Sequence, residues 1–396
     1  MPRIRVLMIN YEFPPFGGGT GLACRHLLDE LARRGDVAVD LVTSGPVRRI
    51  ERERLGADIV VHRLPTPKRD IHYWQAPELA LWTAQALVCA TQLTRRRRYD
   101  FCHCWAGWPS GIVGHWLSGR LPYIVALRGS DVPGYNTRLR LLDPLIMRAV
   151  CRRVWRHAAR IVAVSHDLRA LAHKTWPDAC IDVIPNGVDT RAFTPAPPGQ
   201  DGVLFVGRLI RRKGVDILIE AARLLAAEHP DLRVTIAGDG PERARLEGMV
   251  RGYGLQERVR FRGFLDRTSL ADTYRRAGMF VLPAVSDAMP NVVLEAMAAG
   301  LAIITTRTGA KELLDDNGQI LERAEPEAVR AGIAGYLRDR QLLIRHQRNS
   351  RRLAETMSWA AVADYYATLY ADLSAALSTD VRSVAAARPR ELSPSG

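Results

Sequence analysis

The chain has 396 residues, a net charge of +14, and 47% hydrophobic against 25% charged residues. Single cores stop growing at about 250–300 residues, so two domains are expected, and the composition excludes a disordered or fibrous chain. The charge is uneven, with 28 Lys and Arg against 17 Asp and Glu in residues 1–200 and 28 against 25 in residues 201–396. The basic first half points to an anionic partner, whether a phosphorylated substrate, an anionic membrane surface or nucleic acid; an arginine-rich composition with solvated faces is the alternative.

The opening "MPRIRVLMIN" reads as a first strand, not as an export leader. No apolar run reaches the eighteen or so residues of a membrane span; residues 79–94 come nearest and are interrupted by Thr83, Gln85, Thr91 and Gln92. Six irregularly spaced cysteines fit neither a disulfide framework nor a zinc ribbon, which makes a reducing cytoplasm the expected compartment.

Strands are predicted at 5–10, 37–43, 59–64, 101–104, 123–127, 160–164 and 182–184, with amphipathic helices in most gaps. That alternation implies a parallel sheet covered on both faces. "TRAFTPAPPGQDG" (190–202) is dense in Pro and Gly and reads as a linker. It places a first domain at 1–192, the linker at 193–201 and a second domain at 202–357. Strands resume at 203–206, 233–237, 259–261, 279–282, 302–305 and 319–321. The chain is helical beyond Glu325; its final helix is expected within 358–377, and the polar tail 378–396 is expected to be disordered. In open parallel sheets ligands bind outside the carboxyl ends of the strands, so two such domains facing each other would share a cleft.

The loop "FPPFGGGTG" follows the first strand. A dinucleotide fingerprint starting at Gly17 requires glycine where Leu22 stands, one starting at Gly19 requires it where Cys24 stands, and the second strand ends without a carboxylate. The NAD pattern is absent. Gly17, Gly18 and Gly19 still allow close backbone approach, and they leave N–H groups at a helix expected to open near Thr20, a seat for an anion. A plain flexible turn is the alternative.

"GRLIRRKG" follows the first strand of the second domain, and there Gly207, Arg208 and Lys213 are placed to reach a diphosphate. The P-loop spacing is absent, and a solvated basic loop is the alternative. "IAGDGPE" repeats the strand, glycine turn and helix at the next crossover, with Gly238 at its turn.

In "VSDAMPNVVLEAMAAG" (285–300) a helix is predicted from Pro290 to residue 299, with Gly300 as its cap. Met289, Pro290, Asn291 and Val292 form its tip, where the Asn291 and Val292 N–H groups suit phosphate oxygens. Asp287 lies before that tip and Glu295 inside the helix. Carboxylates repel phosphate, so both suit hydrogen bonds from neutral sugar hydroxyls. The alternative has Asp287 complementing the helix dipole and Glu295 at the surface.

Taken together, and with "VSHDLRALA", "IPNGVDTRAF" and "VRFRGFLDR", these motifs resemble the family 4 glycosyltransferases over nearly the whole chain. The resemblance implies an α/β fold of GT-B type: two Rossmann-like domains, the second holding a nucleotide-diphosphate sugar, and a C-terminal helix crossing back to the first. It also implies that Arg208 and Lys213 bind the diphosphate. Glu295 would hold the ribose as the second Glu of a Glu-x7-Glu motif, and Asp287, in the first Glu position, would meet the transferred sugar. Backbone at Gly263 and Phe264 would meet the base. Two positions depart from the pattern. Asp287 is one methylene short, and Arg128 in "LRGSD" stands where many members have His, bringing fixed charge in place of a titratable ring. Asp131 is the nearest carboxylate able to orient an acceptor hydroxyl, or else it caps a turn.

The implied reaction is retaining transfer without a metal or other cofactor. A hexose or N-acetylhexosamine would pass from a UDP- or GDP-linked donor to a glycan, lipid-linked or small-molecule acceptor, for cell-surface polysaccharide or glycolipid synthesis. "WQAPELALWTAQALVCATQLTRRRRYD" (74–100) is expected to be an amphipathic helix ending in four arginines that docks on the anionic inner face of the plasma membrane; a core helix with a solvated basic end is the alternative. A GT-B sugar-nucleotide epimerase would need acid and base residues that do not stand out. Nucleic acid is not expected as a partner, because no basic stripe with interleaved aromatics appears.

Overall fold

The computed structural model describes residues 4–68, 74–135, 146–198, 202–285, 289–307 and 310–379. The chain divides into two compact units, one made of Met1–Asn186 with the C-terminal helix and the other of Gly187–Ser358. Asp287, part of the predicted linker and the tail from residue 380 lie outside the described residues.

The first unit runs β1 (Ile4–Ile9), α1 (Gly19–Arg34), β2 (Val37–Gly45), β3 (Glu51–Arg54), β4 (Ile59–Pro65), α2 (Ala76–Arg96), β5 (Phe101–Cys104), α3 (Ser110–Leu117), β6 (Tyr123–Leu127), α4 (Arg148–Arg156), β7 (Arg160–Ala163), α5 (His166–His173) and β8 (Ile181–Val183). Its strands lie in the order β3-β4-β2-β1-β5-β6-β7-β8. Near-continuous apolar runs such as Tyr123–Leu127, buried along their whole length, form the central strands because helices cover both faces.

The sequence gives no sign of β3. Its residues, Glu-Arg-Glu-Arg, carry no apolar alternation, yet they pair antiparallel with β4 at the sheet edge. Arg63 Nη2 reaches Glu53 Oε2 at 2.8 Å across this pair. A charged edge strand blunts further pairing.

The four-arginine end of α2 also differs from expectation. The helix stops at Arg96, and Arg97 turns extended. Arg97 Nη1 reaches Asp40 Oδ2 at 3.1 Å, and the same carboxylate group meets Tyr99 OH at 2.8 Å and His62 Nε2 at 2.6 Å. A buried carboxylate has to be paired, and Asp40 takes one arginine out of the predicted cluster. The inner stripe of α2, with Leu79, Trp82, Ala86, Ala90 and Leu93, is core.

The second unit runs β9 (Val203–Val206), α6 (Val215–Leu225), β10 (Val234–Ala237), α7 (Arg243–Gly252), β11 (Val259–Gly263), α8 (Arg267–Arg275), β12 (Met279–Leu282), α9 (Asn291–Ala298), β13 (Ala302–Thr306), β14 (Gly318–Leu321), α10 (Pro326–Arg338) and α11 (Arg340–Thr356). All its strand pairs are parallel. Their order, β11-β10-β9-β12-β13-β14, is the doubly wound arrangement, which reverses direction between β9 and β12.

The final helix, α12 (Trp359–Thr379), belongs to the first unit. Trp359, Val362, Tyr366, Tyr370 and Leu373 join one buried cluster with β1, β2, β5 and α1. Trp359 stacks on His26 at 5.4 Å, and Tyr370 OH pairs with His103 Nδ1 at 2.7 Å. Replacing Tyr370 with Ala empties an aromatic volume in this core, so about 3–5 kcal/mol of stability is expected to be lost. Tyr370→Phe is expected to lose only about 1 kcal/mol, the net value of one hydrogen bond. Urea unfolding measures both, and a wild-type midpoint for Tyr370→Ala would show that α12 does not pack there.

Candidate active site

In the second unit the loops at the carboxyl ends of β9, β10, β11 and β12 are tied together backbone to backbone. Gly207 N–H donates to Ala237 O at 3.0 Å, Gly238 N–H to Gly263 O at 2.8 Å, Leu209 N–H to Asp239 O at 2.9 Å and Val285 N–H to Arg212 O at 2.8 Å. A Cβ on Gly238 would lie 1.9 Å from Gly207 O, and φ there is +135°. Only glycine lets these two loops touch. The fixed loops place Arg208, at the end of β9, and Lys213, in the short turn before α6, at the switch point of the sheet.

On the other side of that switch point, after β12, stands the tip of α9. Pro290 is the N-cap with φ −77° and ψ 106°, so the helix begins at Asn291 and not at Pro290 as predicted. With no oxygen on its side chain, Pro290 cannot cap the first turn, which leaves the positive end of the helix dipole uncapped by that residue. Met289 is buried at the foot of the loop, while Asn291 and Val292 are partly exposed.

Glu295 lies one turn into α9. Its Oε2 accepts from Tyr274 OH at 3.0 Å, and the same hydroxyl lies 3.1 Å from Val292 O. Burial pushes the Glu295 carboxyl up to about 7, against the pull of the Tyr274 hydroxyl and the Arg267 charge. Tyr274 is itself wedged edge-on against Phe193 at 5.5 Å. Phe264, beside Gly263 at the end of β11, is 82% exposed.

The first unit has its own switch point between β1 and β5. The glycine loop lies there, but it is not the empty anion seat expected from its sequence. Glu12 curls under it and accepts the Gly18 N–H, and a Cβ on Gly17, whose φ is +96°, would lie 2.7 Å from Glu12 Cβ. The seat is occupied by a carboxylate of the chain itself. Burial pushes that carboxyl up to about 7, with the Gly18 N–H and the Lys68 charge opposing. The helix opens at Gly19, one residue before the predicted Thr20.

Arg128 leaves β6 with its guanidinium 4.4 Å above the Trp105 ring, and it donates through Nη2 to Asn186 Oδ1. Burial lowers its pKa, while Tyr366 and Asp131 oppose the shift. Asp131, 3% exposed, accepts the N–H groups of Gly107 at 2.6 Å, Gly129 at 2.7 Å and Arg128 at 2.9 Å. The expected role of Asp131 toward an acceptor hydroxyl is therefore corrected: both oxygens face the backbone, and the residue holds the loop that aims Arg128. Among the described residues no group of three His, Cys, Asp or Glu could share a metal ion.

Comparison with known proteins assigns this arrangement. Residues 18–187 match the family described as Glycosyl transferase 4-like domain, and residues 189–353 match Glycosyl transferases group 1. A D-inositol 3-phosphate glycosyltransferase from Arthrobacter sp. is 30% identical over 334 residues, covering 74% of each chain. The chain belongs to the family 4 glycosyltransferases. Among solved structures, the sucrose-phosphate synthase of Thermosynechococcus elongatus aligns with a TM-score of 0.80 at 23% identity, covering 94% of this chain and 100% of the other. Anabaena HepE in complex with UDP-glucose aligns at 0.71 and 19% identity, covering 93% and 100%. Both share the two-domain α/β fold of GT-B glycosyltransferases.

Within this glycosyltransferase, the second unit gathers Arg208, Lys213, Gly207, Gly238, Gly263, Phe264, the α9 tip and Glu295 at the carboxyl ends of its strands. The first unit gathers Gly17 to Gly19, Arg128 and Asp131 at its own. Sequence reasoning missed Glu12, Trp105, Asn186 and Tyr274. Asn186 lies in the quoted "IPNGVD", but Tyr274 reads as an ordinary inward position of α8, and Glu12 precedes a motif read only from its first proline.

Proposed function

We propose that this glycosyltransferase is a retaining enzyme that transfers a hexose or N-acetylhexosamine from a UDP- or GDP-linked donor to a hydroxyl of a lipid-linked acceptor, at the cytoplasmic side of a membrane. The reading is carried by the switch point of the second unit, where a basic loop and a helix tip stand on either side of one sheet reversal. That HepE is solved with UDP-glucose supports a nucleotide-sugar donor.

In this reading Arg208, Lys213 and the α9 dipole hold the diphosphate, Glu295 accepts from the ribose hydroxyls, and Phe264 offers an exposed ring to the base. Asp287 is assigned to the transferred sugar. The C1–O bond to the β-phosphate breaks as the acceptor oxygen bonds C1 from the same face, and the acceptor proton passes to the departing phosphate. No metal or cofactor takes part, because the cations and the helix end carry the developing charge. Arg128, fixed on Trp105, adds positive charge on the acceptor side.

A thermal-shift screen against UDP- and GDP-sugars tests the assignment. At 100 times its dissociation constant a donor stabilises by about 2.7 kcal/mol. A shift with one nucleotide class is expected, and the absence of a shift with any sugar nucleotide sinks the reading.

A further inference from the structure

The charge of the first unit is not spread evenly over its surface. The arginines of α1 pair with carboxylates of the same helix, of the turn after it and of α12: Arg25 with Asp29, Arg33 with Glu30, and Arg34 with Asp36 and Asp364. The covering formed by α2, α3 and α4 differs. Between residues 76 and 157 the described carboxylates are Glu78 and Asp131, both buried, and Asp100, which accepts the Arg5 N–H.

α4 concentrates the difference. Cys151, Val154 and Trp155 face inward, while Arg148, Arg152 and Arg156, four apart, form one exposed stripe. None of the three forms an ion pair with a described carboxylate. Beside the stripe stands the end of α3. Arg153 Nε reaches His115 Nε2 at 3.3 Å, the His115 and His157 rings lie 4.9 Å apart, and the next residue, Trp116, is 69% exposed. On α2, which packs against α3, Leu81 and Val88 are exposed on the stripe that ends in Arg95. Large apolar side chains among arginines that pair with no described carboxylate, with no exposed carboxylate among the described residues of α2, α3 and α4, complement an anionic surface with an apolar interior.

We propose that the face formed by α2, α3 and α4, centred on Trp116 and the Arg148–Arg152–Arg156 stripe, docks on an anionic lipid bilayer. Trp116 enters the headgroup layer, where an indole satisfies both its ring and its N–H. The arginines meet lipid phosphates. The tetra-arginine end of α2 is not the centre, since Arg97 is drawn onto Asp40. The α4 backing is joined to the acceptor-side loop through Cys151 Sγ, 3.7 Å from Asp131 O, so the docked face carries the Arg128 loop with it. This inference takes its purpose from the lipid-linked acceptor proposed above, but its test is independent of that reading.

The full chain is co-sedimented with vesicles of phosphatidylcholine alone and of phosphatidylcholine mixed with phosphatidylglycerol, with no donor present. Binding to the mixed vesicles alone is expected, weakening as salt is raised. Each basic residue near such a surface changes partitioning about fivefold. Arg152→Ala with Arg156→Ala is therefore expected to lower it roughly 25-fold, and Trp116→Ala to lower it with less salt dependence. These positions are exposed, so unfolding midpoints and any UDP-sugar shift are expected to stay at wild type. Equal binding to neutral vesicles, wild-type binding by the variants, or binding to duplex DNA in place of vesicles overturns the proposal. A wild-type chain that binds vesicles but shows no sugar-nucleotide shift removes the donor reading and leaves the docking face standing.

Discussion

Lys213→Ala is expected to lower turnover by about 10²–10³, equivalent to about 2.7–4 kcal/mol of transition-state stabilisation, while the unfolding midpoint stays near wild type. The backbone of the turn is held without the side chain: Lys213 N–H donates to Ile210 O at 3.0 Å, and Gly214 takes the left-handed conformation that closes the turn. A partly exposed side chain in such a turn contributes within about 0.5 kcal/mol to stability. In the proposed reading, what the variant loses is a cation beside a leaving group whose charge grows as the glycosidic bond breaks. Arg208→Ala is expected to behave alike, and the double variant to fall short of the product of the two, because in the proposed reading both act on one diphosphate. Steady-state kinetics with the donor found by thermal shift, beside urea unfolding of each variant, measures both halves. Near-normal turnover in both single variants would remove the diphosphate assignment.

Donor binding at neutral pH is expected to release protons. The ligand-free Glu295 carboxyl sits near 7 because burial disfavours its charge. The sign follows from linkage: with its folded pKa raised, the group stabilises the fold fully below its unfolded value of about 4.5, and that contribution is lost as pH rises through about 7. In the proposed reading, ribose hydroxyls donating to Glu295 favour the ionised form, so the donor is expected to bind more tightly as pH rises from about 6 to 8 and to level off above. Calorimetry in buffers of different ionisation enthalpy reads the released proton, roughly half an equivalent at pH 7. Glu295→Ala is expected to weaken donor binding by about 1.5–3 kcal/mol, or about 10- to 150-fold, and to abolish the pH dependence. Tyr274→Phe removes the hydroxyl that pulls the carboxyl down, so its profile is expected to move to higher pH with a smaller loss of affinity. Binding that neither releases protons nor changes between pH 6 and 8 would show that Glu295 does not hold the ribose.

The central strands were legible because each is a short apolar run between punctuating residues, and burial on both faces leaves such runs almost no other fate. β3 was not, because an edge strand needs only backbone pairing, and its Glu-Arg-Glu-Arg residues have no face to bury. The α9 boundary moved by one residue because Pro290 keeps an extended backbone, with ψ 106°, so the first helical position falls to Asn291. Asp131 shows the limit of reading a site by residue type. A carboxylate in a loop after a strand suits acceptor chemistry equally well whether its oxygens point out or in, and here three backbone N–H groups hold them in.

The order and spacing of the motifs determined by themselves the two α/β units, the family and the loops that carry Arg208, Lys213, Glu295 and Arg128. The units and the loops follow from local periodicity and from turn glycines, which the chain states residue by residue, and the family from the resemblance of the ordered motifs to known members. Only the tertiary structure decided the surroundings: Glu12 under the glycine loop, Tyr274 on Glu295, Trp105 beneath Arg128, and Arg97 drawn from its basic neighbours onto Asp40. Each of these pairs a charge with a partner brought near by packing. Burial makes an unpaired charge costly, and which partner relieves it depends on proximity in space, which no pattern along the chain records.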